Sequence, residues 1–308
     1  MARGYRLSAP KKHHYLPEFY LRRFCRDWTL WIYDAEAQRN STSLPRDYRH
    51  QENLYSIEGK KASEKYQAEM MLSELESMTA PVIDRVDAGG RFSVRDKYYV
   101  SLFASLLKSR VPNFERWISD LNDAVGKQFL KARYASEQEL REHLQELGRD
   151  SMDDPDLPGR LFDSIHKEDY SVHTPKNWRI GMMFRIALAV SEDIFQMEWM
   201  ILRAPEATSF VTSDNPFVVI SPNDMTPSWP YTIGVAVAGS KKIVPLTQRV
   251  CLRIGDYGDA MRYVECDRES VRTVNCTLAN NCERFLIARD EVLLKRLVSY
   301  KAARDEAT

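Results

Sequence analysis

The chain has 308 residues, 44% of them hydrophobic, which is enough to bury a substantial core, and its 44 basic side chains balance 44 acidic ones. That balance excludes a general basic coat for holding nucleic acid and leaves only a local patch for that purpose. Five cysteines without a CxxC pair predict reduced thiols in a cytoplasmic protein rather than a disulfide framework.

No signal peptide is expected, because the charged N-terminal residues contain no apolar run. The most apolar helical segment, Met182 to Val190, is too short to cross a bilayer and contains Arg185, so no membrane association is expected. Charge is uneven along the chain. Residues 1–26 carry seven Arg or Lys against Glu18 alone, and 150–156 is acidic. The basic start predicts either contact with a phosphate-bearing ligand or a solvated terminus paired with acids elsewhere.

Near the start, His13-His14-Tyr15-Leu16 leads into Pro17, which suits the first turn of a short helix running through Phe24. The two histidines then precede a helix start, a plausible place for an anion. Trp28 to Asp34 reads as a strand in which Leu30, Ile32 and Asp34 alternate with Trp31 and Tyr33, and Leu54 to Ile57 reads as another; Asn40 to Ser43 and Pro45 between them read as turn or loop. Helices are predicted over Ser63–Val86 with Pro81 kinking the end, Asp96–Arg110, Asn113–Tyr134, Ser136–Leu147 and Asn177–Phe195. Residues 148–160 read as a loop.

Beyond this point strands are expected at Met197–Leu202, Ser209–Thr212, Phe217–Ile220, Thr232–Ala238, Lys242–Pro245, Val250–Ile254, Met261–Cys266 and Val271–Val274. Glu283–Ala288 is a further strand or the start of a closing helix, whose apolar side carries Val292, Leu293, Leu297 and Val298. The fold class is α+β: a helical middle segment, a short N-terminal β element and a mainly antiparallel β-rich C-terminal half. One domain spans 1–308, with sub-regions 1–60, 61–195 and 196–308. Phe114, Trp117 and Leu121 are read as core, with an oligomer seam as the alternative.

The run His-His-Tyr-Leu-Pro-Glu-Phe-Tyr-Leu-Arg-Arg-Phe resembles the start of the DUF4238 family of uncharacterised, largely microbial proteins. Leu30 to Asp34, Glu52 to Tyr55, Arg110-Val111-Pro112, Thr212 to Pro216, Pro245-Leu246-Thr247 and Asn275 to Arg284 follow in the order the resemblance implies. The family's recurrent polar positions fall here on His13, His14, Arg110, Asp214, Asn215 and Asn275, which the resemblance makes candidates for one assembled site.

Those residue types suit a hydrolytic or phosphodiester-cleaving centre. His14 is the leading base or metal ligand, and His13 supports it. Asp214 holds a histidine or a divalent metal, so His14 and Asp214 are the candidate metal ligands. Arg110 and Lys12 would stabilise phosphate charge, with Asn215 and Asn275 as further ligand-binding candidates. Each has a structural alternative. Adjacent histidines on an extended segment point to opposite faces, so one of them is free to serve only the fold. Asp214 also suits an Asx turn, Arg110 an ion pair at its helix end, and Asn275 a cap on buried backbone.

His50, His143, His166 and His173 are weaker leads, and Cys276 with Cys282 lacks the second ligand pair of a zinc site. No phosphate loop, dinucleotide loop, HExxH or GxSxG motif is present. Two functions therefore compete: a metal-dependent phosphodiesterase or nuclease acting on a phosphate-containing ligand or nucleic acid, and a noncatalytic ligand-binding or protein-interaction module.

Overall fold

A computed structural model describes residues 12–48, 50–52, 55–59, 62–148, 154–222 and 234–305. The strands are β1 (Lys12–His14), β2 (Leu30–Asp34), β3 (Arg39–Ser43), β4 (His50–Glu52), β5 (Met197–Arg203), β6 (Thr212–Ser213), β7 (Val218–Ile220), β8 (Lys241–Pro245), β9 (Val250–Tyr257), β10 (Met261–Glu265) and β11 (Phe285–Ala288). The helices are α1 (Glu18–Leu21), α2 (Ala62–Lys65), α3 (Gln67–Asp87), α4 (Val94–Ser109), α5 (Pro112–Arg133), α6 (Glu137–Glu146), α7 (Leu157–Lys167), α8 (Lys176–Gln196), α9 (Arg268–Asn280) and α10 (Glu291–Asp305). The architecture is α+β, with β strands near the N-terminus, a central helical block and a largely antiparallel β-rich C-terminal part.

Strands group as β1-β4, as β10-β5-β9-β8-β7 and as β3-β2-β11-β6. Only the β10–β5 pair is parallel among the described strands. The last sheet draws on both ends of the chain: β11 lies between the N-terminal strand β2 and β6. The N-terminal β element is thus completed by residues some 250 positions away.

Alternation along the strands explains the layering. In β11, Phe285 and Ile287 enter one hydrophobic cluster while Leu286 and Ala288 enter another. In the larger sheet, Ile201, Val244 and Leu252 face the first cluster; Leu202, Ile243 and Cys251 face the second. A strand buried on both faces shows the near-continuous apolar run seen in Phe285–Ala288. The first cluster also contains Tyr20, Phe24, Val100, Phe103, Leu107 and Ala187, which brings in α1, α4 and α8. The second contains Val274, Leu278, Leu294 and Leu297, from α9 and α10. The sheets therefore lie between the helical block and a two-helix C-terminal layer.

Helix starts follow local chemistry. Ser93 and Asp96 cap α4 reciprocally, as Ser136 and Glu139 cap α6, and Pro112 occupies the first turn of α5, where its missing N–H costs nothing. Five expectations are corrected. Val271–Val274 is helical: Asp267 caps α9 by accepting from Ser270 N, and Val271, Val274 and Leu278 share its buried face, which overrides β-branched preference. Asn40–Ser43 lies in strand β3, held by its pairing with β2. Residues 157–167, within and beyond the expected loop, form α7 behind Asp156 and with Pro158 in its first turn. Of the strands expected at Leu54–Ile57 and Thr232–Ala238, Leu54, Thr232 and Ile233 lie outside the described residues; 55–57 and 234–238 are turn, bend and irregular backbone and join no sheet. Pro81 sits inside α3, which continues to Asp87.

Candidate functional site

Tyr20 is fully buried, and its hydroxyl lies 2.7 Å from Thr212 Oγ1 and donates to Pro245 O at 2.9 Å. One side chain of the N-terminal segment thereby joins β6 and the end of β8. The Gln248 amide donates to Arg23 O at 3.1 Å, and Thr247 Oγ1 donates to Asp87 while accepting the Arg249 and Val250 amides. Arg23 itself donates to Phe19 O, to Ala80 O at 2.9 Å and to Asp84 at 2.5 Å.

Asp214 follows β6 and is occupied by backbone. Its Oδ1 accepts the Glu283 amide at 3.0 Å, and its Oδ2 accepts those of Arg284 at 2.8 Å and Phe285 at 3.0 Å. Burial pushes its carboxyl above the ordinary range, against those three N–H groups. Arg284 forks onto Asp34, with both bonds at 2.8 Å, and this pairing holds Asp34 down at about 2. Asn215 Nδ2 donates to Asn281 O at 3.0 Å. Asn275, buried on α9, accepts the Val211 amide at 3.0 Å and donates to Ser209 O at 2.9 Å.

Arg110 lies elsewhere, at the end of α4. It is buried, donates from Nη1 to Glu76 at 2.6 Å and stacks its guanidinium over the Tyr55 ring at 5.4 Å. The Tyr55 hydroxyl donates to Arg110 O at 3.3 Å. Burial pushes Tyr55 up to about 12, with Tyr15 and Glu69 close enough to influence it. Burial also pushes Glu69 up to about 7, aided by Glu76 and opposed by Arg110. This cluster adjoins the N-terminal segment, because Tyr15 follows β1 directly and Tyr55 lies three positions after β4.

The β1–β4 ribbon sets His14 opposite His50, His13 opposite Gln51 and Lys12 opposite Glu52. The side chains of Lys12, His13 and His14 lie outside the described residues. Three of the six histidines thus occupy one two-stranded ribbon. His50, a weaker lead in the sequence, is one of them. The signal the sequence lacked was the pairing partner, since two short polar strands carry no alternating apolar pattern.

Of the candidates, then, Lys12, His13 and His14 lie on β1, and Arg110 lies in the cluster that Tyr15, the residue after β1, also influences. Asp214 and Asn215 bond to the segment entering β11, and Asn275 bonds to the segment entering β6. Among the described residues no group of three His, Cys, Asp or Glu is placed to hold a metal ion. Lys108, on α4, was not singled out from sequence. Its amine lies 5.6 Å from the Phe217 ring, and burial pulls its pKa down to about 8. No helix among the described residues is long and apolar enough to cross a membrane.

These features define an α+β protein with an N-terminal histidine ribbon, in which a buried tyrosine ties the segment after that ribbon to a C-terminal β layer. Residues 12–292 match the family described as "Protein of unknown function (DUF4238)", and the chain belongs to that family. No curated protein and no solved structure matches it.

Proposed function

We propose that the protein is a metal-dependent phosphodiesterase whose centre is the β1–β4 ribbon with the Arg110 cluster beside it. The observation that carries this reading is the register of His14 against His50, next to a region where Glu69 titrates at about 7. A carboxyl poised near neutrality is suited to moving protons in either direction at physiological pH. Histidine brings the same capacity, and as neutral imidazole it is a common metal ligand. A divalent metal at the ribbon would polarise a phosphoryl oxygen and acidify a bound water. Arg110 contributes positive charge that Glu76 partly offsets. Asp214, with three amides on its two oxygens, is assigned to holding the start of β11 rather than to proton transfer.

The test is turnover of a panel of DNA, RNA and cyclic nucleotides with Mg²⁺, Mn²⁺ or Zn²⁺, comparing wild type with folded His14→Ala and His50→Ala. The expected result is metal-dependent cleavage by wild type that falls by about a hundredfold or more in both variants. Absence of turnover by wild type across the panel would overturn this reading in favour of a noncatalytic ligand-binding module.

A further inference from the structure

A cleft of about 640 Å³ opens between α9, α10 and residues 207–209. It shares no lining residue with the ribbon or the Arg110 cluster. Four arginines line it: Arg268 and Arg272 one turn apart on α9, Arg289 just before α10, and Arg296 on α10. Among the described residues, the only carboxylate on the lining is Asp290. Asp290 is already engaged, pairing with Arg289 Nε at 3.2 Å and capping α10 by accepting the Leu293 amide at 2.9 Å. Arg272 reaches Glu269 at 3.5 Å, while Arg268 and Arg296 form no ion pair with a described residue. In a chain with no net charge, this local excess of cations is a specific feature rather than part of a general coat.

The floor has a different chemistry. Val271, Leu293 and Leu297 supply apolar surface, and Tyr300 closes one end with its ring 5.6 Å from the Arg272 guanidinium. Asn275 fixes the opposite wall through its bonds to Ser209 and Val211, so the cleft has a rigid side. Planar guanidinium forks match phosphate oxygens, whereas an aromatic ring and aliphatic side chains match a flat, weakly polar body. The volume is that of a small-molecule site and not of an extended groove.

We propose that this cleft binds a nucleoside phosphate, its phosphates on Arg268, Arg289 and Arg296 and its base against Tyr300. The proposal stands independently of phosphodiester cleavage at the ribbon, because it needs neither turnover nor a metal.

Calorimetric titration of the full chain tests it, using a purine and a pyrimidine nucleoside diphosphate, the free nucleosides and inorganic phosphate. A diphosphate is expected to bind about tenfold or more tighter than inorganic phosphate or nucleoside alone. R268Q combined with R296Q should weaken that binding by about tenfold or more. Tyr300→Ala should weaken the diphosphate while leaving inorganic phosphate unchanged. Wild type binding the diphosphate no better than inorganic phosphate would overturn the proposal without recourse to any variant. So would unchanged binding in the folded double arginine variant.

Discussion

Glu69→Gln separates a proton-handling carboxyl from an ordinary surface acid. Burial moves Glu69 from its ordinary 4.5 to about 7, with Glu76 adding to the shift and Arg110 opposing it. Below about pH 4.5 the carboxyl is protonated in both folded and unfolded chains and contributes no difference. Between about 4.5 and 7 the unfolded chain ionises while the folded chain keeps its proton, so stability falls as pH rises; above about 7 the cost is constant. At 1.36 kcal/mol per unit the displacement sets a ceiling of about 3 kcal/mol. Glu69 is only partly buried, so solvent screening reduces this to about 1–2 kcal/mol. Glutamine carries no such cost. Urea denaturation of wild type and Glu69→Gln across about pH 4.5 to 8.5 should therefore show the variant gaining on wild type as pH rises, by about 1–2 kcal/mol at the top of the range. If the centre is catalytic, the limb of the pH–rate profile near 7 should disappear in the same variant. Two outcomes would refute the reasoning: a stability difference that does not change with pH, or wild type gaining on the variant as pH rises. The second would mean that Arg110 outweighs burial and holds Glu69 ionised.

Tyr20→Phe removes the hydroxyl bonding to Thr212 and Pro245 and leaves that carbonyl without its donor in a dry site, so a loss of about 1–3 kcal/mol is expected in chemical denaturation. A change under about 0.5 kcal/mol would mean that the joint between the N-terminal segment and the two sheets is not held there. Asp214→Ala strips the acceptor from three amides at the entrance to β11, for a loss of about 2–4 kcal/mol, with faster hydrogen exchange at 283–285 as its local signature. Asp214→Asn that keeps full stability and native exchange while abolishing turnover would instead make Asp214 a catalytic group.

Much of the helical block was legible because its periodicity is local. Tyr99, Leu102, Phe103 and Leu106 share one side of α4, and Ser93 with Asp96 marks its start within four residues. The β layers were less legible because pairing is not local. Nothing in Leu30–Asp34 indicates that its second neighbour is Phe285–Ala288, and a strand buried on both faces has no alternation to read. Val-Arg-Thr-Val at 271–274 misled because β-branched residues favour strands, whereas Asp267 and the three- and four-residue spacing to Leu278 favour the helix that forms. The arginine cleft is not legible in the sequence for a related reason: its residues come from three segments between 207 and 300, and each arginine alone reads as an ordinary surface charge.

The candidate residues taken from the family pattern divide by how much of their bonding capacity the fold has already used. A carboxylate accepts at two oxygens, and Asp214 has given both to backbone N–H groups; Asn275 has committed both its carbonyl and its amide. Tyr20 has spent its hydroxyl in the same way, on both Thr212 and Pro245. Those motif positions make a distant pairing possible, that of N-terminal residues with strands β6, β8 and β11, by satisfying the polar groups that pairing would otherwise strand in the core. A side chain so engaged would have to break scaffold bonds to serve a reacting substrate. Chemistry is more cheaply carried by groups whose ionisation or pairing the fold has left unsettled. Glu69 is held near neutrality, Lys108 has an aromatic ring but no acid at its amine among the described residues, and Arg268 and Arg296 form no ion pair with a described residue. Three of these four are cations, so whatever settles them should be an anion, as the ligand proposed for the cleft is.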